Sequence, residues 1–172
     1  SCCRGRSGLS RGAEAFASLG VTMAQANDQV IRDAQQVVLA VKPQVMDKVL
    51  PDVIDHLRGG ALVLSIAAGY KIKRIAAGSG SNYVVRAMPN TPGQIGQGIT
   101  VWTATRAVTQ EQRGWAEAVL GALGETLFVG DERYLDMATA LNGSGPSYVF
   151  LLMEAMIDAG VHMGFSRQES QK

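Results

Sequence analysis

Four short stretches of this sequence carry residues whose types and spacing suit chemistry. In Ala40-Val41-Lys42-Pro43 a single cation precedes a proline suited to the first turn of a helix. Such a junction offers a place for a cofactor phosphate or ribose, and is equally ordinary strand-to-helix punctuation with an exposed lysine. Ala67-Ala68-Gly69 sets three tiny residues in a row, which lets backbone approach a flat ligand such as nicotinamide or ribose, or simply makes an economical turn. Met88-Pro89-Asn90-Thr91-Pro92 holds an amide and a hydroxyl between two rigid prolines, the preorganised polar groups of a binding site or a tight surface loop. The fourth, Gly143-Ser144-Gly145-Pro146-Ser147-Tyr148, is a small-residue turn leading into a helix. Its backbone N–H groups and the helix dipole suit an anion such as a carboxylate, and plain capping by Ser144 competes.

The elements around these stretches decide whether they can meet. Residues 36–41 (QVVLAV), 61–66 (ALVLSI) and 83–88 (YVVRAM) are near-continuously apolar, as central strands covered on both faces by helices should be. Between the first two, Val45, Val49, Leu50, Val53, Ile54 and Leu57 recur at helical spacing over 44–57, and Gly59-Gly60 ends the run. Shorter helices are expected over 11–19, 28–34 and 72–77, with a strand at 21–23. This alternation predicts βαβ units, a Rossmann-like, doubly wound and mostly parallel α/β sheet. Ligands of such sheets bind beyond the carboxyl ends of the strands, where the first three stretches lie.

After the third strand, the prolines and glycines of 89–98 predict a loop without regular structure. Strands at 98–102 and 125–129 then flank a helix over 109–123. Beyond a boundary near Gly130 only helical pattern remains, over 132–141 and 146–163, hinged at Asn142-Gly143-Ser144-Gly145. This divides the chain into residues 1–130, a partial dinucleotide-binding domain, and residues 131–172, the start of a helical domain. The last helix is apolar nearly all round, which calls for further helices or a second subunit as cover.

Bulk properties remove several classes. The 172 residues are 47% hydrophobic and 18% charged, the composition of a folded globular protein. Sixteen basic and fifteen acidic side chains give a net charge of +1, too little field to hold nucleic acid. The greasy run 148–163 carries Glu154 and Asp158 and is too short for a membrane span. Cys2 and Cys3 are adjacent and fit neither a zinc nor a redox motif, which suits a cytoplasmic protein. His56 and His162 stand alone on different elements, so no metal site is expected. No Gly-x-Gly-x-x-Gly occurs, so motifs alone do not identify a dinucleotide enzyme.

Taken together, AVKPQ at 40–44, SIAAG at 65–69, RAMPNTP at 86–92, GQGIT at 96–100 and NGSGPSYVF at 142–150 resemble the pyrroline-5-carboxylate reductases. The resemblance covers about 19–167 and implies a Rossmann domain joined to a helical domain that dimerises or forms a higher homo-oligomer. It implies hydride transfer from NADPH, with NADH as the alternative, to the C=N carbon of a five-membered cyclic imine, giving proline. Residues matching Asn27, Ala40, Val41, Lys42, Pro43, Ala67, Ala68 and Gly69 contact the cofactor in the family. Those matching Ser144, Gly145, Pro146, Ser147 and Tyr148 hold the substrate carboxylate. Asn90 and Thr91 are the catalytic candidates, as polar groups that orient the imine.

The chain departs from the family pattern at both ends, where the first strand with its glycine loop and the later helices are expected and not found. Leu151 stands where members often carry a hydroxyl. Arg4, Arg6 and Ser7 fall about where a 2'-phosphate would be read, or belong to an atypical terminus. Two rivals remain open. A related Rossmann oxidoreductase could act on another imine or a hydroxy acid, although 132–163 holds no lysine of the kind a hydroxy-acid enzyme would use there. The other is a non-catalytic fragment of the reductase.

Overall fold

The computed structural model describes Phe16 and residues 18–172. The helix expected over 11–19 and the Arg4, Arg6, Ser7 cluster lie wholly or mostly outside the described residues. Along the chain run α1 (Asp28–Ile31), β1 (Gln36–Leu39), α2 (Pro43–His56), β2 (Leu62–Ser65), α3 (Ile72–Ser79) and β3 (Val84–Met88). A 3-10 turn (Thr91–Ile95), β4 (Gly98–Ala104), α4 (Gln110–Gly121) and β5 (Gly124–Phe128) follow. The chain continues with α5 (Arg133–Ala138), a π turn (Thr139–Gly143), α6 (Gly145–His162) and α7 (Arg167–Ser170).

The sheet has the order β1-β2-β3-β4-β5, parallel except where β4 runs against β3. Alternate side chains of each strand face opposite layers. Val63 and Val84 pack with Met46, Leu50, Val53 and Ile75 of α2 and α3, whereas Leu62, Leu64, Val85 and Trp102 pack with Ala116 and Leu120 of α4. Helices therefore cover both faces, which is why β2 is buried at every position. Pro51 sits inside α2 without ending it, because Met46, Leu50 and Val53 anchor the helix on both sides.

Several expectations need correction. Residues 21–23 form no strand, since no neighbour among the described residues offers them a ladder of hydrogen bonds. β1, expected as a central strand, is an edge of the described sheet, and Val38 is 43% exposed. The loop 89–98 is not devoid of regular structure. Pro92 suits the start of the 3-10 turn, and Gly96, at φ +70°, ends it. Nor are the helical segments 132–141 and 146–163 hinged by a break: the π turn carries the backbone from α5 directly into α6, with the Ser144 N–H donating to Thr139 O at 3.0 Å.

Candidate active site

The pairings Leu39 with Ser65 and Ser65 with Arg86 bring the carboxyl ends of β1, β2 and β3 to one edge of the sheet. Ala40 to Pro43, Ala67 to Gly69 and Pro89 to Pro92 therefore emerge side by side. Antiparallel β4 delivers its amino end, Gly98, to the same edge. There an open cavity of about 460 Å³ is lined by Gly96, Gln97, Gly98, Ile99, Gly124 and Glu125.

The rim is built of small side chains and open backbone. Ala67 is buried and its N–H donates to Ser65 Oγ at 3.2 Å, which fixes the turn, while Gly69 projects at φ +69° with open space where a side chain would stand. Lys42 is the exposed N-cap of α2, without a side-chain capping bond, and Pro43 begins the helix. Asn27 stands at the N-cap position of α1 without a side-chain capping bond, and its Nδ2 donates to Asp52 Oδ2 at 2.9 Å.

Asn90 has a definite partner: its Oδ1 accepts from the Ile99 N–H at 2.9 Å, tying the loop after β3 to the start of β4. Thr91 is exposed. At the same residue, in the next peptide group, the Ile99 carbonyl accepts from Asn142 Nδ2 at 3.3 Å. Gly143 sits so close to the end of β3 that a Cβ there would lie 2.8 Å from Met88 Cε. The turn before α6 is thus held against the sheet edge. Ser144 makes no capping bond; its Oγ donates to Thr139 O at 3.1 Å, and the Ser147 N–H donates to Ser144 O at 2.9 Å. Tyr148 donates from its hydroxyl to Ala140 O at 3.2 Å.

One cluster was not anticipated from the sequence. Arg86, in the middle of β3 and 1% exposed, donates to Glu132 Oε1 at 2.7 Å and to Asp136 Oδ1 at 2.9 Å. Lys71 pairs with Asp136 as well, and the Ile72 N–H at the start of α3 donates to Glu132 Oε1 at 2.8 Å. The available signal was an arginine inside the apolar run YVVRAM, which a strand buried on both faces tolerates only with partners. Hydrogen bonds from Lys71 and then Arg86 hold the Asp136 carboxyl below its usual range. A depressed carboxylate contributes stability that is present above its unfolded pKa and lost as pH falls through its folded pKa. Anchorage of α5 is therefore expected to be constant at neutral pH and to weaken only at pH below the ordinary aspartate range. Hydrogen exchange of α5 amides against pH measures this, and Asp136→Asn is expected to remove the acid-side change.

A twisted, mostly parallel sheet with small residues along its open carboxyl edge, followed by a helical segment, is the frame of a Rossmann-type oxidoreductase. Comparisons with known proteins narrow that class. A family model described as NADP oxidoreductase, coenzyme F420-dependent, matches residues 3–69, and one described as pyrroline-5-carboxylate reductase dimerisation matches residues 132–172. The pyrroline-5-carboxylate reductase of Glycine max is 38% identical over 91% of this chain and 57% of its own length. A structure of the Coxiella burnetii pyrroline-5-carboxylate reductase superposes with a TM-score of 0.87 at 35% identity, covering 99% of this chain and 63% of that one. The Plasmodium falciparum pyrroline carboxylate reductase, solved with NADP bound, gives 0.81 at 32% identity over 88% of this chain and 57% of its own. The chain is similar to pyrroline-5-carboxylate reductases over nearly its whole length. It spans rather more than half the length of the curated relatives it matches.

Proposed function

We propose that the protein reduces 1-pyrroline-5-carboxylate to L-proline with NADPH, the last step of proline synthesis, and that it works as a homodimer or larger homo-oligomer. What carries the reading is Ile99. Its N–H donates to Asn90 and its carbonyl accepts from Asn142, so the polar loop after β3 and the turn into α6 meet at one edge of the sheet. The names of the relatives and the NADP in the Plasmodium falciparum structure supply the substrate and cofactor.

The rim residues fit a dinucleotide. Open space beside Gly69, exposed Ala40 and the exposed Lys42 leave backbone and a cation available, with Asn27, Val41, Pro43, Ala67 and Ala68 completing the contact surface. NADPH, when bound, supplies the hydride. Ser144, Gly145, Pro146, Ser147 and Tyr148 hold the substrate carboxylate, with the dipole of the long helix α6 behind them. Asn90 and Thr91 orient the ring so that its protonated C=N accepts the hydride and becomes a secondary amine. Residues 1–130 form the dinucleotide-binding part in this reading. Residues 131–172 belong to a helical part through which two copies associate. A cytoplasmic location belongs to the same proposal.

The experiment compares pyrroline-5-carboxylate with 1-pyrroline, which lacks the carboxylate, by following loss of reduced nicotinamide absorbance. Loss of the carboxylate contact is expected to lower kcat/KM by about a hundredfold or more. Equal rates would remove residues 144–148 from the substrate site.

A further inference from the structure

We infer that Arg86 is a positioning residue for the substrate, acting through Glu132 and Asp136 on the turn that enters α6. This rests on the reading of residues 144–148 as the carboxylate loop. A guanidinium that is 1% exposed is a buried charge, and buried ion pairs replaced by apolar side chains often leave stability unchanged or improved. Their better-attested use is to fix register. Here the register is that of α5 against the sheet. Two donors of one planar fork reach two carboxylates four residues apart, Glu132 at the N-cap of α5 and Asp136 within it, at 2.7 and 2.9 Å, so α5 is held in one rotation.

The same carboxylates reach outward to the Ile72 N–H and to Lys71, which ties α5 to the start of α3 as well. Two cations balance two anions, and Leu135, buried between Glu132 and Asp136 in sequence, packs that side of the helix inward. From Ala138 the chain passes through the π turn to Ser144 without a break, so a rotation of α5 is transmitted to the loop. The far end rests on the Asn142 to Ile99 bond, long at 3.3 Å. Arg86 is thus the stronger of the two attachments that set where residues 144–148 stand over the end of β3.

The test uses the full-length protein and three variants, Arg86→Met, Arg86→Lys and the milder Asp136→Asn, whose site is half exposed. Measured are kcat and KM for pyrroline-5-carboxylate, the Kd of NADPH by fluorescence, the melting temperature, and hydrogen exchange over 133–148. In Arg86→Met the substrate KM is expected to rise about tenfold or more, with the NADPH Kd within about twofold of wild type. Exchange over 133–148 rises while that of β2 does not. Asp136→Asn shifts the same quantities less, and Arg86→Lys, which has charge but no fork, keeps the KM defect. Parallel changes in KM, NADPH Kd and melting temperature, or an unchanged KM and unchanged exchange in Arg86→Met and Asp136→Asn, would overturn the inference. If Arg86→Met does not fold, Asp136→Asn decides. A wild type that binds NADPH without turning over pyrroline-5-carboxylate defeats the substrate reading instead, and unchanged exchange over 133–148 then still counts against Arg86.

Discussion

Alanine at Gly124 is expected to unfold the sheet's last strand or the whole protein. Gly124 opens β5 at φ +127°, a backbone conformation that residues with a Cβ rarely adopt. An added Cβ would stand 2.2 Å from Gly98 O and 2.7 Å from Gly98 N, against backbone that cannot swing aside as a flexible side chain would. Gly98 cannot retreat, because its own Cα faces the Gly93 backbone, with a Cβ there 2.7 Å from Gly93 N. Gly98 and Gly124 are also a pair in the β4–β5 ladder, so relief by separation breaks the ladder. Strain and clash together should remove about 3 kcal/mol or more of a total stability that is typically 5–15 kcal/mol. Gly114→Ala is the matched control. It lies on the exposed face of helix α4 with nothing within 4 Å of the new methyl, and should gain about 1 kcal/mol. Chemical denaturation of both variants reads the two signs, and equal midpoints would refute the close approach.

The second large effect concerns α6. Seven large apolar side chains between Tyr148 and Met156 are each more than half exposed, from 52% at Met153 to 68% at Leu151. An exposed apolar surface of that extent marks an interaction face, and residues 132–172 match a family model described by dimerisation. Glutamates at Leu152 and Met156, one turn apart, would be buried without partners in a dimer and exposed in a monomer. At roughly 3 kcal/mol for each buried unpaired charge and two such charges in each chain, the dimer dissociation constant should rise by about ten-thousandfold or more. Analytical ultracentrifugation of the double variant is expected to show monomer where wild type is associated. An unchanged sedimentation coefficient would remove α6 from the interface.

How far the sequence revealed this depends on the range of the contacts involved. Residues 36–39, 62–65 and 84–88 were legible as strands because burial on both faces leaves an unbroken apolar run, and α2 was legible because Val49, Leu50, Val53 and Leu57 pack on one layer, although Val45 and Ile54 of the same pattern are exposed and the buried Met46 lay outside it. The carboxyl-edge junctions followed from the parallel order. The reversal of β4 against β3 did not, since the pairing of Met88 with Val101 depends on a 3-10 turn that the prolines and glycines of 89–98 disguised. Gly96 and Gly98 were read as loop punctuation. The role of Gly98 is to admit Gly124, a partner whose distance in sequence leaves no local trace. Arg86 stood out only as a member of YVVRAM and RAMPNTP, because its carboxylates lie 46 and 50 residues away. Capping by Ser144 stood only as the alternative to an anion site, and the π turn uses its N–H and hydroxyl within the segment itself.

Deuterium tracing addresses the central claim most directly. The full-length protein is supplied with NADPH deuterated at the transferring nicotinamide carbon and with pyrroline-5-carboxylate, and the product is analysed by mass spectrometry and NMR. L-proline with a single deuterium at the former imine carbon is expected. Folded protein that binds NADPH yet forms no proline, or proline without the label, would contradict it.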